Sequence, residues 1–374
     1  MSNTVRTVWL TAGLVALSGG AFAARPVAPG TMPNPLRIGM LADSVGNRAF
    51  LGTVEFKVTN SSRETMKIPA WQLPSGSLQQ DLFVVHYNGK PVRYTGPMIK
   101  RAAPVDADYI VLRPGESRLV TVDLSTAYDL SRPGEYTVKF RSYLQGARSE
   151  NGRMVANRNG GLAKVESAPL RLWVDAANPL QQLKSGGGRV TLQGKPGGTA
   201  TVVNGVSFVG CSSTQINGAG QAVVDARTYT ENSKGSLAGS TVGPRYTTWF
   251  GAYTSTRWGT AKSHFTSIDS AMDQNGGQVK INCGCNQNYY AYVYPTKHYE
   301  IFVCKAFWTA PATGTDSKAG TLVHEMSHFN VTAATDDVVY GQSGAKSLAI
   351  SNPDQALNNA DSHEYFAENT PSQN

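Results

Sequence analysis

The sequence predicts a chain in two parts: an all-β, immunoglobulin-like sandwich towards the N-terminus, then a mixed α+β, helix-rich domain. Three observations carry this. Short segments with a hydrophobic period of two, separated by Pro/Gly turns, occupy residues 25 to 175. A Gly-rich stretch follows, and beyond it apolar residues recur at helical spacing. The 374 residues suffice for two hydrophobic cores, and 40% hydrophobic with 16% charged residues suits a folded chain, not a disordered one.

The first 23 residues read as a segment outside the fold. One positive charge lies in Met1–Arg6, Val8 to Leu17 form a mostly apolar run, and Ala21-Phe22-Ala23 has the small-x-small cleavage pattern. This is the signature of a secretory signal peptide cut after Ala23. No later stretch reaches the roughly 18 consecutive apolar residues of a membrane span, so a secreted chain without membrane contact is expected.

Residues 24–175 form the expected β-sandwich. Thr53 to Thr59 alternates polar and apolar as a half-buried strand does, and Leu82 to Tyr87 runs into Asn88-Gly89, a strong hairpin signal. Further strands are expected at Tyr109 to Leu112, Arg118 to Leu124 and Tyr136 to Arg141, with Arg113-Pro114-Gly115 and Arg132-Pro133-Gly134 turning the chain between them. No catalytic constellation is visible here, and the isolated His86 is read as a strand histidine.

Residues 176–205 read as a linker, because Ser185 to Gly188 and Gly194 to Gly198 are rich in glycine. The linker also contains Lys184 and Lys195. Charge divides at this point. From Gly205 onward there are 10 Lys/Arg against 13 Asp/Glu, net −3, which leaves +11 on the preceding residues of a chain whose total is +8. A basic front and an acidic back attract each other. Nucleic-acid binding is not expected, because the basic residues are dispersed and carry no recognised motif.

Residues 206–374 hold all four cysteines, Cys211, Cys283, Cys285 and Cys304. An even number in an exported chain reads as disulfides, with three connectivities open. Cys283 and Cys285 are too close to pair comfortably with each other, and a structural zinc site would want C-x₂-C spacing. Helices are expected over Gln215 to Thr230 and Thr260 to Gln274. Tyr289 to Tyr294 and Ile301 to Cys304 are expected to form a small sheet or hairpin, with no role assigned to its tyrosines.

The chemistry concentrates near the C-terminus. His324-Glu325-Met326-Ser327-His328 is an H-E-x-x-H motif whose two histidines share one face of a helix and can grip one metal ion. Glu325, beside the first ligand, is placed to take a proton from an attacking water. A zinc site of this kind needs a third protein ligand. Val331 occupies the place of the glycine that a metzincin continuation requires. Asp337, in a short loop further on, is the candidate, with Asp336 its neighbour and Glu364 a gluzincin-like alternative. Tyr340, three residues after Asp337, can donate to an oxyanion. Asp361 and Glu364 share a helix face and would suit the ammonium of a lysine.

These segments resemble the aspzincin metalloendopeptidases, comprising deuterolysin and the peptidyl-lysine endopeptidases. The resemblance lies in H-E-x-x-H followed by T-x-D-x-x-Y-G, with Ala334 where the family has glycine, and in Asn359-Ala360-Asp361-Ser362-His363-Glu364-Tyr365-Phe366-Ala367-Glu368-Asn369. It is specific over the last 55 residues, extends through the C-terminal half and is looser before it. It implies a zincin-type domain with one zinc ion held by His324, His328 and Asp337, Glu325 as general base and Tyr340 as oxyanion donor. It further implies that Asp361 and Glu364 recognise lysine on the primed side and that the disulfides are Cys211–Cys283 and Cys285–Cys304; His363 is read as packing in the core or backing the site, not as a ligand. The sandwich becomes a propeptide and intramolecular inhibitor, released by processing in the linker from a monomeric preproprotein acting on protein and peptide substrates. The other readings are a deuterolysin-type peptidase without lysine specificity, a secreted binding protein with a vestigial zincin domain, and a structural cell-surface protein, for which no anchor or repeat is present.

Overall fold

A computed structural model describes residues 30–43, 51–175 and 200–373. The expected signal peptide and most of the expected linker, with Lys184 and Lys195, lie outside the described residues.

The N-terminal region is β-rich. Thr53–Asn60 lies between Leu36–Ala42 and Ser117–Asp123 in an antiparallel sheet, and its alternation buries Val54, Phe56 and Val58. A second sheet is built on Gly134–Tyr143, with Phe83–Tyr87 on one side and Leu170–Val174 on the other. The rings of Phe56 and Phe140 meet at 4.7 Å, so the apolar faces of the two sheets close on each other. Phe83–Tyr87 returns as Lys90–Val92 through Asn88 and Gly89, both at positive φ (48° and 75°), as a two-residue hairpin requires. His86 sits in this strand opposite Thr137 and Pro91, away from any site.

The C-terminal region is helix-rich around a six-stranded sheet to which the N-terminal region contributes one strand. Met98–Arg101 (β1) forms one edge. Thr201–Val203 (β2), Val206–Val209 (β3), Lys280–Asn282 (β4), Tyr289–Val293 (β5) and Glu300–Val303 (β6) complete the order β2-β3-β4-β6-β5-β1. β1 runs antiparallel to β5, with Ile99 opposite Tyr292, Lys100 opposite Ala291 and Arg101 opposite Tyr289. The sequence showed no catalytic constellation in the N-terminal half, and it did not show that this half adds an edge strand to the C-terminal sheet. Edge pairing is non-local, and no period in the sequence announces it.

Four helices frame the site: α1 (Ser213–Ala238), α2 (Ser255–Met272), α3 (Lys318–Ser327) and α4 (Ala360–Glu368). A capping box between Ser212 and Gln215 starts α1. It runs past Thr230 through weak helix formers because Thr230 and Ser233 are buried and Lys234 reaches Asp269 on α2 at 2.5 Å. Pro244–Phe250, Lys305–Thr309, Gly341–Ser351 and Pro353–Leu357 are shorter helices that the sequence pattern did not mark. Among the described residues, no helix is long and apolar enough to cross a membrane.

Helix α3 is the central element. Ser317 caps it by accepting from the Gly320 amide at 2.9 Å, and every residue from Ala319 to Ser327 is buried against α1, α2 and α4. Gly320 is required by the approach of α4, since a Cβ there would lie 2.1 Å from Glu368 Oε1. Disulfides join Cys211 to Cys283 and Cys285 to Cys304, tying the start of α1 and the end of β6 to the loop after β4. No cysteine is left free to ligate a metal.

Candidate metal centre and substrate cleft

His324 and His328 emerge from one face of α3, their rings 4.9 Å apart and nearly perpendicular. The chain then leaves the helix and turns back through Ala334, whose φ of 51° lies in the left-handed region that glycine adopts without strain. This turn brings Asp337 over the two imidazoles. Its Oδ1 lies 3.1 Å from His324 Nε2 and 3.4 Å from His328 Nε2. A tetrahedral ion with bonds of about 2.0–2.1 Å has ligand-to-ligand edges of about 3.3–3.4 Å. All three atoms are buried without a hydrogen-bond partner, an arrangement that costs roughly 1–3 kcal/mol per atom if left empty-handed. The donor set therefore fits zinc.

The surroundings orient the donors. His328 Nδ1 faces the Thr335 carbonyl at 2.8 Å; donation there fixes the tautomer that leaves Nε2 with its lone pair. His324 Nδ1 lies 2.8 Å from Asp361 Oδ1 and 3.3 Å from Glu364 Oε2, close but outside hydrogen-bond alignment. Burial pushes the Asp337 carboxyl up, but the two imidazoles outweigh it and hold it well below the usual carboxylate range. Glu325 is fully buried with neither oxygen partnered, and burial pushes it up to about 7. Such a carboxylate is poised to accept a proton near neutral pH.

The alternative third ligands point elsewhere. Asp336 accepts from Asn358 Nδ2 at 2.6 Å, and Glu364 approaches the Nδ1 side of His324, opposite the face that meets Asp337. His363 contacts Asn359 O and His264, both at 3.0 Å, among Phe250 and Phe265, and burial depresses it to about 3.

β1 fills the cleft beside these groups. The Ile99 amide donates to Asp337 Oδ2 at 2.8 Å, and the Ile99 carbonyl accepts from the Tyr340 hydroxyl at 2.9 Å. Lys100, only 1% exposed, directs its ammonium to Glu364 Oε2 at 2.6 Å, with Asp316 Oδ1 at 3.5 Å and Asp361 Oδ1 at 3.8 Å. Burial disfavours its charge, yet the three carboxylates more than compensate and raise its pKa well above the ordinary value. The rings of Tyr290 and Tyr365 stand 5.1 and 5.9 Å from Nζ. Arg101 follows, between the rings of Trp71 and Tyr289.

Sequence reasoning named the metal-side residues and the two α4 acids that meet Lys100, Asp361 and Glu364. It missed Asp316, Tyr290, Tyr365 and Lys100. Asp316 had a faint signal, an acid immediately before the Ser317 cap of the H-E-x-x-H helix; a lone lysine in a short strand had none.

A buried histidine pair on one helix, a carboxylate returning over it and an unpartnered glutamate between them are the architecture of a zincin-type hydrolase. Residues 236–368 match the family model for lysine-specific metallo-endopeptidases. An extracellular protease of Aeromonas hydrophila is 43% identical over 323 residues, covering 86% of this chain and 89% of the relative. A peptidyl-Lys metalloendopeptidase of Grifola frondosa is 34% identical over 343 residues, covering 88% and 90%. A zinc peptidase structure from Grifola frondosa aligns over 44% of this chain and all of its own length, with 44% identity and a TM-score of 0.42. The chain belongs to the aspzincin family of metalloendopeptidases. It is a zinc metalloendopeptidase, and its substrates are proteins.

Proposed function

We propose that this chain is the secreted zymogen of an endopeptidase that cuts on the amino side of lysine, with its own N-terminal region seated in the substrate cleft. The observation that carries this reading is β1. It pairs with the edge strand β5 as an extended substrate would, its Lys100 side chain meets Asp361 and Glu364, and the Ile99 carbonyl meets the Tyr340 hydroxyl. In that register the Ile99–Lys100 peptide occupies the place of a scissile bond, and the strand blocks other substrates.

His324, His328 and Asp337 hold one zinc ion per chain. Bound zinc supplies Lewis acidity, which activates a water and polarises the scissile carbonyl. Glu325 takes the proton from that water and passes it to the leaving amine. Tyr340 donates to the developing oxyanion, while Asp361 and Glu364 hold the ammonium of the lysine whose backbone nitrogen departs. The β-rich region is an immunoglobulin-like inhibitory sandwich over residues 24–175. Its removal follows export directed by residues 1–23 and cutting within 176–205, ahead of β2, and the active form, built on the catalytic domain of residues 206–374, is a monomer. The extracellular relative supports export. A mature N-terminus outside residues 176–210 would exclude the linker as the processing site.

The reading is tested by digesting an unbiased peptide mixture with the processed protein, with and without a zinc chelator, and mapping each cut by mass spectrometry. Chelator-sensitive cuts before lysine are expected. Chelator-sensitive cuts without lysine bias would remove the lysine pocket and leave the peptidase. No cutting by zinc-loaded, processed protein would overturn the proposal.

A further inference from the structure

The pocket around Lys100 has three carboxylates, and they come from two elements. Glu364 and Asp361 lie on α4; Asp316 lies in the loop that leads into α3. Asp316 is pinned there. Its backbone is left-handed (φ 52°), its amide donates to Glu368 Oε2 at 3.2 Å, and its Oδ1 accepts from the Tyr365 hydroxyl at 2.6 Å. Its side chain is 41% exposed, so it stands at the pocket's open side, opposite the fully buried Glu364. Asp361 and Glu364 also approach His324, whereas no contact joins Asp316 to the candidate metal ligands. Asp316 can therefore be altered without touching the metal site.

We infer that Asp316 is the third arm of an ammonium-selective site and determines the preference for lysine over arginine at this position. The inference rests on the lysine-pocket reading above and adds a residue to it. An ammonium spreads three N–H donors around one nitrogen; Glu364 Oε2 accepts from Lys100 Nζ at 2.6 Å, and Asp316 Oδ1 and Asp361 Oδ1 stand at ion-pair range, 3.5 and 3.8 Å, on two further side chains. A guanidinium directs its donors in one plane and suits a single carboxylate gripped side-on. With Asp316 in place the acceptors are distributed for the point charge. Without it, the two acids of a single helix remain, and they discriminate less.

The experiment compares kcat/KM of the processed enzyme and of Asp316→Asn on matched peptides with lysine, arginine or norleucine after the scissile bond, together with zinc content. Asparagine keeps the acceptor for Tyr365 and tolerates the left-handed backbone. Cleavage before lysine should fall about threefold to fivefold, the loss of one partly exposed ion pair. Cleavage before arginine and before norleucine should fall less, narrowing the lysine-to-arginine ratio, with zinc content unchanged. An equal fall on all three peptides, or an unchanged ratio, overturns the inference. A wild-type enzyme without lysine preference instead sinks the pocket reading beneath it. If Asp316→Asn does not fold, the zymogen carrying Glu325→Gln reads the same pocket through Lys100→Arg. An ammonium-selective site makes Lys100→Arg lower the Tm about as much as Lys100→Gln does, and an arginine accommodated as well as lysine overturns it.

Discussion

The candidate metal ligands are held in two different ways. His324 and His328 stand on a helix buried on all sides by the C-terminal region's own helices. Asp337 and Tyr340 stand on a loop, and the hydrogen-bond partners of these two residues come from the N-terminal region. Gln80 Nε2 donates to the Asp337 carbonyl at 3.0 Å, Gln145 Oε1 accepts from the Tyr340 amide at 2.7 Å, and the Ile99 amide donates to the Asp337 carboxylate. The rest of the loop is tied to its own region: Thr335 to Ser327 and His328, Asp336 to Asn358, and the amides of Val338 and Val339 to Asn359 Oδ1 at 3.1 Å each. The helix is preorganised by its own region; Asp337 and Tyr340 are held in part by a strand of the N-terminal region. Maturation should therefore leave the histidines where they are and free the loop.

Chemistry gives the largest effect. Glu325→Gln should reduce hydrolysis by roughly 10²–10⁴-fold, as removal of a general base does. Zinc should stay bound, because Glu325 makes no contact that the ligands need. Metal analysis beside the activity assay checks both, and joint loss of metal and activity would reassign Glu325 as a ligand.

Next in size is the Lys100 contact. Lys100→Gln in the Glu325→Gln zymogen leaves Glu364 and Asp361 buried without their cation, a change that costs on the order of 3–5 kcal/mol. A Tm lower by several degrees, with accelerated proteolysis of the β-rich region, is the expected outcome. An unchanged Tm would mean that Lys100 does not anchor the strand.

What was legible in the sequence was local. An H-E-x-x-H helix is set by positions four apart, and Asn88-Gly89 sets its hairpin by φ alone, so both are read from a handful of adjacent residues. Asp361 and Glu364 were readable for the same reason, being one helical turn apart. The β1–β5 pairing links residues about 190 positions apart in a chain where any edge strand could have been chosen, so nothing in Met98-Ile99-Lys100-Arg101 discloses its partner. Asp316 escaped because its role comes from a left-handed loop that aims it at a lysine from the other half. The extra length of α1 escaped because buried Ser233 and the Lys234–Asp269 contact override poor local propensity.

A smaller effect tests the contact between the two regions through pH. Asp81 lines a cavity of about 270 Å³ with Asp336, Arg141 and His328, and accepts from the Tyr128 hydroxyl at 2.5 Å. Burial, then the facing Asp336, push its carboxyl up to about 7, with Tyr128 and Arg141 opposing. A raised carboxyl pKa means that folding is unpenalised below about 4, where both states hold the proton. Stability is lost as pH climbs from there towards 7, because the unfolded chain sheds the proton first. Asp81→Asn in the Glu325→Gln zymogen should therefore raise stability by on the order of 2 kcal/mol at pH 8 and by almost nothing at pH 4, the size being limited by the group's partial exposure. An equal gain at both pH values would show that the carboxyl does not titrate in this window.

The smallest effect divides helix from loop directly. Gln145→Ala in the Glu325→Gln zymogen removes the acceptor of the Tyr340 amide and the donor to the Tyr340 carbonyl. Two hydrogen bonds of about 1 kcal/mol each correspond to roughly 10-fold to 30-fold faster amide exchange where local opening governs it. That acceleration should appear across residues 335–341 and not across 318–328, because α3 takes none of its contacts from Gln145. If both segments sped up together, the ligands would share one cooperative unit and maturation could not loosen one without the other. If only the loop responds, the N-terminal region does more than cover the cleft: it holds the geometry of Asp337 and Tyr340 while the chain folds, and its departure turns a fixed loop into one that must close on each substrate.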